Sequence, residues 1–311
     1  MMKKKTMFQL IGGTVLTAAA LTAAYAAASE FGFNRMMKRS KLDYDPSEGL
    51  QFIHNKVAHE EAQMWLKSVP SEEMILHGFD DTRLHGQKIM THPASKKWAV
   101  LVHGWKADHR SMALPARVFE SKGYNVLLVD LRAHGKTEGS YCTMGWTDRL
   151  DLMCWINMLT VMHPNCEIVL YGRSMGATTV MNATGEKLGT EVKACIADCG
   201  FSNAEAQAKA MLKRKKGFRF FELGMKLCAR IHLKFPLKKA DTLAQLRNSK
   251  VPTLFIHGEK DQIVPFNMVF ENYYACAAEK ELYTVPDAKH LECINQDSYW
   301  DRVFKFIDRN C

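Results

Sequence analysis

Ser174, Asp261 and His290 are residue types that together can activate an alcohol, and each falls at or just beyond the end of an apolar run. Ser174 is the centre of Gly172-Arg-Ser-Met-Gly176, between the run Glu167 to Tyr171 and the helix-compatible stretch Ala177 to Met181. A strand, a sharp turn and a helix are expected there, because the flanking glycines let the backbone pass the serine without a clash. Gly/Ser turns are common, so the pattern gains weight only from the residues downstream of it. Asp261 lies in the exit loop of Thr253 to Gly258, and His290 in the loop after Leu282 to Val285. An imidazole can take the serine proton and return it to a leaving group when a carboxylate fixes its tautomer and stabilises the imidazolium. The chemistry such a set could perform is attack on an ester, thioester or amide carbonyl.

Attack creates an oxyanion, and backbone N–H donors aimed at it contribute about 3–4 kcal/mol each. Trp105, at the end of Val100-Leu-Val-His-Gly-Trp105, and Met175, next to the serine, are the expected donors. The Trp105 indole is expected either to line the pocket beside the reacting carbonyl or to pack under a lid. Asp198, at the end of Ala194 to Asp198, competes with Asp261 for the acid's role. Asp130 is read as an anchor for the loop carrying Arg132 and His134, and His103, His134 and His257 as local hydrogen-bonding residues.

Apolar runs at 97–102, 125–130, 167–171, 192–197, 252–257 and 281–285 alternate with helix-length segments. That alternation predicts a mostly parallel sheet covered by helices on both faces. Ligand sites in such sheets gather beyond the carboxyl ends of the strands, where the candidate residues fall. Residues 73–79 and 84–90 read as a starting antiparallel hairpin. The 241 residues after position 70 suffice for one large α/β domain with an insertion.

The chain resembles the α/β-hydrolase superfamily from about Glu72 onward, through its HGW, GRSMG, HGEKD and AKH segments at successive strand ends and through Val129 to Gly135. Within the superfamily it is similar to bacterial serine hydrolases of the serine-aminopeptidase and monoacylglycerol-lipase-like type that carry an N-terminal membrane segment. The resemblance implies the α/β-hydrolase fold, a twisted sheet flanked by helices, with a helical lid inserted at about 201–247. Lys289 is a departure, since the family usually has Gly before this histidine.

Lys3 to Lys5 precede 23 uncharged residues, Met7 to Ser29. As a helix they would extend about 34 Å, enough for a bilayer core of about 30 Å. Residues 1–29 are therefore read as a membrane anchor with the catalytic domain outside the cytoplasm, or as a signal peptide cleaved near Ala26 or Ala28 to give a secreted protein. Residues 30–70 are a helical lead-in, and 71–311 the catalytic domain. The formal charge is +9, but residues 205–239 hold eleven Lys/Arg against two Glu, so the excess is local. Phe218, Phe221, Met225, Cys228 and Ile231 recur at spacings of three or four, with Arg219, Lys226, Arg230 and Lys234 roughly opposite, which predicts an amphipathic lid helix. An anionic membrane surface is the partner such a helix fits; no recognition motif supports nucleic acid.

Nine cysteines all follow residue 140. Cys195 and Cys199, four apart on one strand, would sit about 13 Å apart, beyond disulfide reach. No metal-ligand spacing occurs, and neither a metal nor a cofactor is expected. The sequence thus predicts a cofactor-independent serine hydrolase of small or lipid-like carboxylic esters. Peptidase or thioesterase activity would use the same residues, and a non-catalytic, membrane-tethered binding protein is the alternative from another class.

Overall fold

The computed structural model describes residues 4–39, 56–213 and 222–311. Eight strands form one sheet: β1 (Glu72–His77), β2 (Arg83–Ile89), β3 (Lys97–Val102), β4 (Asn125–Val129), β5 (Glu167–Arg173), β6 (Val192–Asp198), β7 (Thr253–Gly258) and β8 (Lys280–Val285). Their spatial order is β1-β2-β4-β3-β5-β6-β7-β8. The β1–β2 and β2–β4 pairs are antiparallel and the remaining pairs parallel, as the hairpin and the six later runs predict.

The central strands are buried on both faces, and alternate residues feed two cores. Trp98, Val100, Val102, Ile168 and Leu170 pack with Trp155 and Leu159 of α4 (Asp148–Met162) and Val180 of α5 (Met175–Thr184). Their neighbours Ala99, Leu101, Val169 and Tyr171 face Phe119 of α3 (Ala113–Ser121) and Val303, Phe306 and Ile307 of α10 (Tyr299–Asn310). Helix α9 (Asn267–Ala275) covers β7 with α8 (Thr242–Leu246), through Val269, Leu246 and Phe255.

Two registers place the strand-end loops. Val102 pairs with Gly172, so the segments after β3 and β5 emerge side by side. Gly258 pairs with Val285, so the segments after β7 and β8 do the same. Strand β3 lies between β4 and β5, where the chain reverses its direction of progress across the sheet, and such a switch point opens a crevice at the strands' carboxyl ends.

Helix α1 (Lys4–Met37) runs without a break through residue 29, and α2 (Lys56–Ser68) follows. Among the described residues no helix is long and apolar enough to cross a membrane. From residue 17 on α1 is dominated by Ala and Thr and carries Glu30 and Arg35. Its last turns pack into the body of the protein, with Ser29, Phe33 and Met37 buried.

Between β6 and β7 lie α6 (Ala204–Lys213) and α7 (Glu222–His232). Residues 214–221, including Phe218, Arg219 and Phe221, are outside the described residues. The face expected to be buried on α7 needs correction. Met225 and Cys228 are buried together with Gly224 and Ala229, but Ile231 is exposed along with Leu223 and Leu227. The reason is the partner. Helix α7 packs on α1, and a Cβ at position 224 would stand 2.0 Å from Ser29 Oγ, so the small residues set the contact face. All nine cysteines are free thiols, seven of them buried, Cys154 half-buried and Cys311 exposed.

Candidate active site

Ser174 follows β5 directly and opens α5 with φ 55° and ψ −119°, a left-handed conformation strained for a residue with a side chain. Two glycines permit the turn. A Cβ on Gly172 would meet the Gly176 carbonyl oxygen at 2.3 Å, and one on Gly176 would meet that of Val102 at 2.0 Å. The Ser174 N–H donates to the Asp198 carbonyl at 2.7 Å, which fixes the turn against β6.

The structure brings Ser174, His290 and Asp261 into contact. His290 Nε2 lies 2.9 Å from Ser174 Oγ, and Nδ1 lies 2.6 Å from Asp261 Oδ2. Because Nδ1 faces a carboxylate, the network assigns the proton of the neutral ring to Nδ1 and leaves Nε2 to accept from the serine hydroxyl. The other carboxylate oxygen, Oδ1, accepts from the N–H groups of Ile263 at 2.7 Å and Val264 at 2.9 Å. His257, expected from the sequence to serve turn geometry, also places Nε2 3.2 Å from Asp261 Oδ2. Asp198 accepts from the Tyr299 hydroxyl at 3.0 Å and sits 3.6 Å from Arg173 Nε.

Burial pushes the Asp261 carboxyl up, but hydrogen bonds from His257 and His290 outweigh it and hold the group below the usual carboxylate range. His290 shifts the other way. Burial pushes its pKa down, while the Asp261 hydrogen bond and charge, with a contribution from Cys199, raise it to about 9. Only the neutral imidazole can accept the serine proton, so the basic form grows as pH rises. We expect kcat/KM for a cleavable ester to climb about tenfold per unit from pH 6 and to level off near 9. A plateau reached by pH 7 would contradict this assignment.

The segment after β3 closes the other side. A Cβ on Gly104 would lie 3.4 Å from Ser174 Cβ and 3.9 Å from Oγ, so Gly104 sits beside the serine and Trp105 follows it in the chain. Met175 opens α5, and its N–H has no carbonyl partner within that helix. Buried His103 braces the segment: Nδ1 lies 2.7 Å from the Gly104 carbonyl, and Nε2 accepts the Leu131 N–H at 3.0 Å. Burial holds its pKa down, consistent with a neutral brace. The Trp105 indole, expected to line the pocket or to pack under a lid, donates from Nε1 to the Met36 carbonyl of α1 at 3.0 Å.

Two further residues of the site are not singled out by the sequence. Arg173 is buried and donates from Nη2 to the Leu291 carbonyl at 2.9 Å, tying the serine turn to the histidine loop. A charged residue between Gly172 and Ser174 is the available signal. Cys199, at φ 59°, has its thiol within 4.8 Å of the Asp261 and His290 donor atoms. Asp130 does hold the loop ahead of it, accepting the Lys136 N–H at 3.0 Å, but it also binds Nδ1 of His85 at 2.7 Å and of His109 at 2.9 Å. His134 donates from Nδ1 to the Arg132 carbonyl, and burial lowers its pKa to about 3. Lys289 uses its N–H to bond Glu292 Oε2 at 2.9 Å, which shapes the loop that carries His290. Among the described residues, donor atoms close enough to share an ion occur as His85/His109/Asp130, Asp198/Cys199/Cys293 and Cys199/Asp261/His290. The first and third are already joined by the imidazole–carboxylate hydrogen bonds given above.

The sheet topology and this cluster at the strand ends define an α/β-hydrolase, and the chain is an enzyme of that superfamily. Residues 93–218 match the family model for serine aminopeptidase, S33. The esterase Pf2001 of Pyrococcus furiosus superposes with a TM-score of 0.63 at 25% identity, covering 78% of this chain and 93% of that one. The uncharacterized membrane protein YNL320W of Saccharomyces cerevisiae is 28% identical over 188 residues, 60% of this chain and 61% of the relative. The lysophosphatidylserine lipase ABHD12 of Danio rerio is 28% identical over 184 residues, 56% of this chain and 45% of the lipase.

Proposed function

We propose that the chain hydrolyses carboxylic esters of amphiphilic molecules through an acyl-enzyme on Ser174, with His290 as base and Asp261 as its acidic partner. The observation that carries this reading is the unbroken hydrogen-bonded path from Ser174 Oγ through His290 to Asp261. His290 Nε2 removes the hydroxyl proton as Oγ attacks the ester carbonyl, and the Trp105 and Met175 N–H groups hold the oxyanion. Collapse breaks the ester C–O bond, and the imidazolium gives its proton to the departing alcohol. A water deprotonated by His290 then cleaves the acyl-enzyme and frees the acid.

The amphiphilic part of the proposal is supported by the insertion between β6 and β7, which acts as the lid. Leu223, Leu227 and Ile231 form an exposed stripe on α7, and Phe31 of the adjoining α1 is exposed as well. Arg230 adds a cation to the same helix, while Lys226 is paired with Glu205 at 3.0 Å and Glu222 at 2.9 Å; an apolar stripe beside a cation fits an anionic lipid surface. In this reading residues 1–29 are retained and attach the enzyme to a membrane, with the catalytic domain outside the cytoplasm. Retention is supported by Tyr25, whose hydroxyl accepts the Gly224 N–H at 3.0 Å and would be lost by cleavage near Ala26 or Ala28. The relative described as a membrane protein supports the attachment, and the lysophosphatidylserine lipase supports an amphiphilic ester.

The test is a substrate panel of acyl esters, aminoacyl amides and thioesters, assayed with and without anionic vesicles. Esters are expected to turn over at least tenfold faster than matched amides, and vesicles to accelerate long-chain but not short soluble esters. Faster amide cleavage would replace the esterase reading with the peptidase one that the family model's name suggests. Equal indifference to vesicles would remove the membrane component.

A further inference from the structure

The carbonyls of a helix's last turn have no partner inside the helix and must find one elsewhere. At the end of α1 all four are taken up. Lys38 N–H donates to Asn34 O at 3.0 Å, Lys106 Nζ to Arg35 O at 3.2 Å, Trp105 Nε1 to Met36 O at 3.0 Å, and Cys142 N–H to Met37 O at 2.7 Å. Two of these donors are consecutive side chains of the segment that abuts Ser174. The Lys106 ammonium also suits the partial negative charge of a helix C-terminus, and it lies 4.5 Å from the Trp105 ring.

The chain beyond α1 continues the attachment. Arg39 donates from its backbone N–H to Ser140 O at 2.8 Å and from its guanidinium to Gly135 O and Thr137 O, both at 2.5 Å. Earlier in the helix, Glu30 pairs with His232 of α7 at 2.8 Å, and Phe33 and Tyr141 stack on the His232 ring at 5.4 and 4.6 Å. Thus one helix end touches α7, the 135–142 loop and the Gly104 to Lys106 segment.

We propose that the C-terminal turns of α1 are a positioning element of the catalytic apparatus: the Met36 carbonyl, through the Trp105 indole, sets where the Trp105 backbone N–H stands relative to Ser174. This rests on the serine-hydrolase reading above. An oxyanion donor works only within about 2.7–3.1 Å of the developing charge, and a displacement of about 1 Å can cost about a hundredfold in rate. Helix α1 is therefore needed for turnover and not only for attachment. A loss of this kind falls on kcat, because the ground-state ester carries little charge on that oxygen.

The test uses the full-length chain with Trp105→Phe, which keeps a ring and removes the N–H, and with Lys106→Met, whose exposed side chain can be replaced without entering the core. Competent sites are counted by fluorophosphonate titration, so that kcat is read per folded site. Trp105→Phe is expected to lower kcat at least tenfold and Lys106→Met about threefold, with KM within twofold and the pH inflection unmoved. A merely structural contact would reduce the number of titrated sites and the melting temperature while leaving kcat per site unchanged, and that result overturns the proposal. If Trp105→Phe yields no folded protein, an unchanged kcat in Lys106→Met overturns it equally. A wild-type chain that neither titrates nor turns over any ester would sink the hydrolase reading itself, an outcome distinct from a working enzyme indifferent to both substitutions.

Discussion

Replacing Ser174 by alanine is expected to cut kcat for a cleavable ester by about 10⁵–10⁶ while leaving KM nearly unchanged. In the proposed mechanism the hydroxyl oxygen forms the covalent bond, and it lies 2.9 Å from His290 Nε2. The substitution removes one oxygen from a half-buried position in an intact turn, so the melting temperature should not fall, and relief of strain at φ 55° is modest because alanine shares the penalty. The proposed oxyanion donors are untouched by the substitution, which should leave a residual rate about 10³-fold above water. A loss smaller than tenfold would mean that Ser174 is not the nucleophile.

Asp261→Asn is expected to lower kcat by about 10⁴ at neutral pH. The carboxylate compels His290 to carry its proton on Nδ1, whereas an amide can donate to Nδ1 and leave Nε2 protonated, facing Ser174 with no acceptor. The same change acts on the pH profile. Without the charge at 2.6 Å, burial, the largest influence on His290, is opposed by Cys199 only, and the pKa should fall from about 9 to below the ordinary histidine value. The acid limb of kcat/KM should therefore move down by more than two pH units as the plateau drops. Steady-state kinetics from pH 5 to 10 on both forms would show this, and an unshifted limb would mean that another group raises His290. Stability should also decline, since Oδ1 holds the Ile263 and Val264 N–H groups and Oδ2 faces His257.

The order and ends of the strands could be read from the sequence because a strand buried on both faces must be a continuous apolar run, and the candidate residues come directly after such runs. Choosing between Asp198 and Asp261 needed more. Both end apolar runs, and only the β7–β8 register, Gly258 opposite Val285, puts the Asp261 loop beside that of His290. Helix α7, expected as part of a lid, was half legible. Its periodicity indicates a helix and puts Met225 and Cys228 on the buried face, but Ile231 was misplaced, because Gly224 and Ala229 allow close approach to α1 and leave Ile231 outside with Leu223 and Leu227.

The tie between α1 and Trp105 left no trace in the sequence. Its acceptor is a backbone carbonyl 69 residues away, and a carbonyl has no residue type to reveal it. Arg173 was visible but unread, since a buried cation inside a turn of glycines acquires meaning only once Asp198 and Leu291 are beside it.

The most direct measurement treats the purified full-length protein with a fluorophosphonate and maps the adduct by mass spectrometry of its peptides. The account predicts a single stoichiometric adduct on Ser174, formed faster as pH rises toward 9 and lost in His290→Ala. No adduct, or one that forms on another residue or persists without His290, would contradict it.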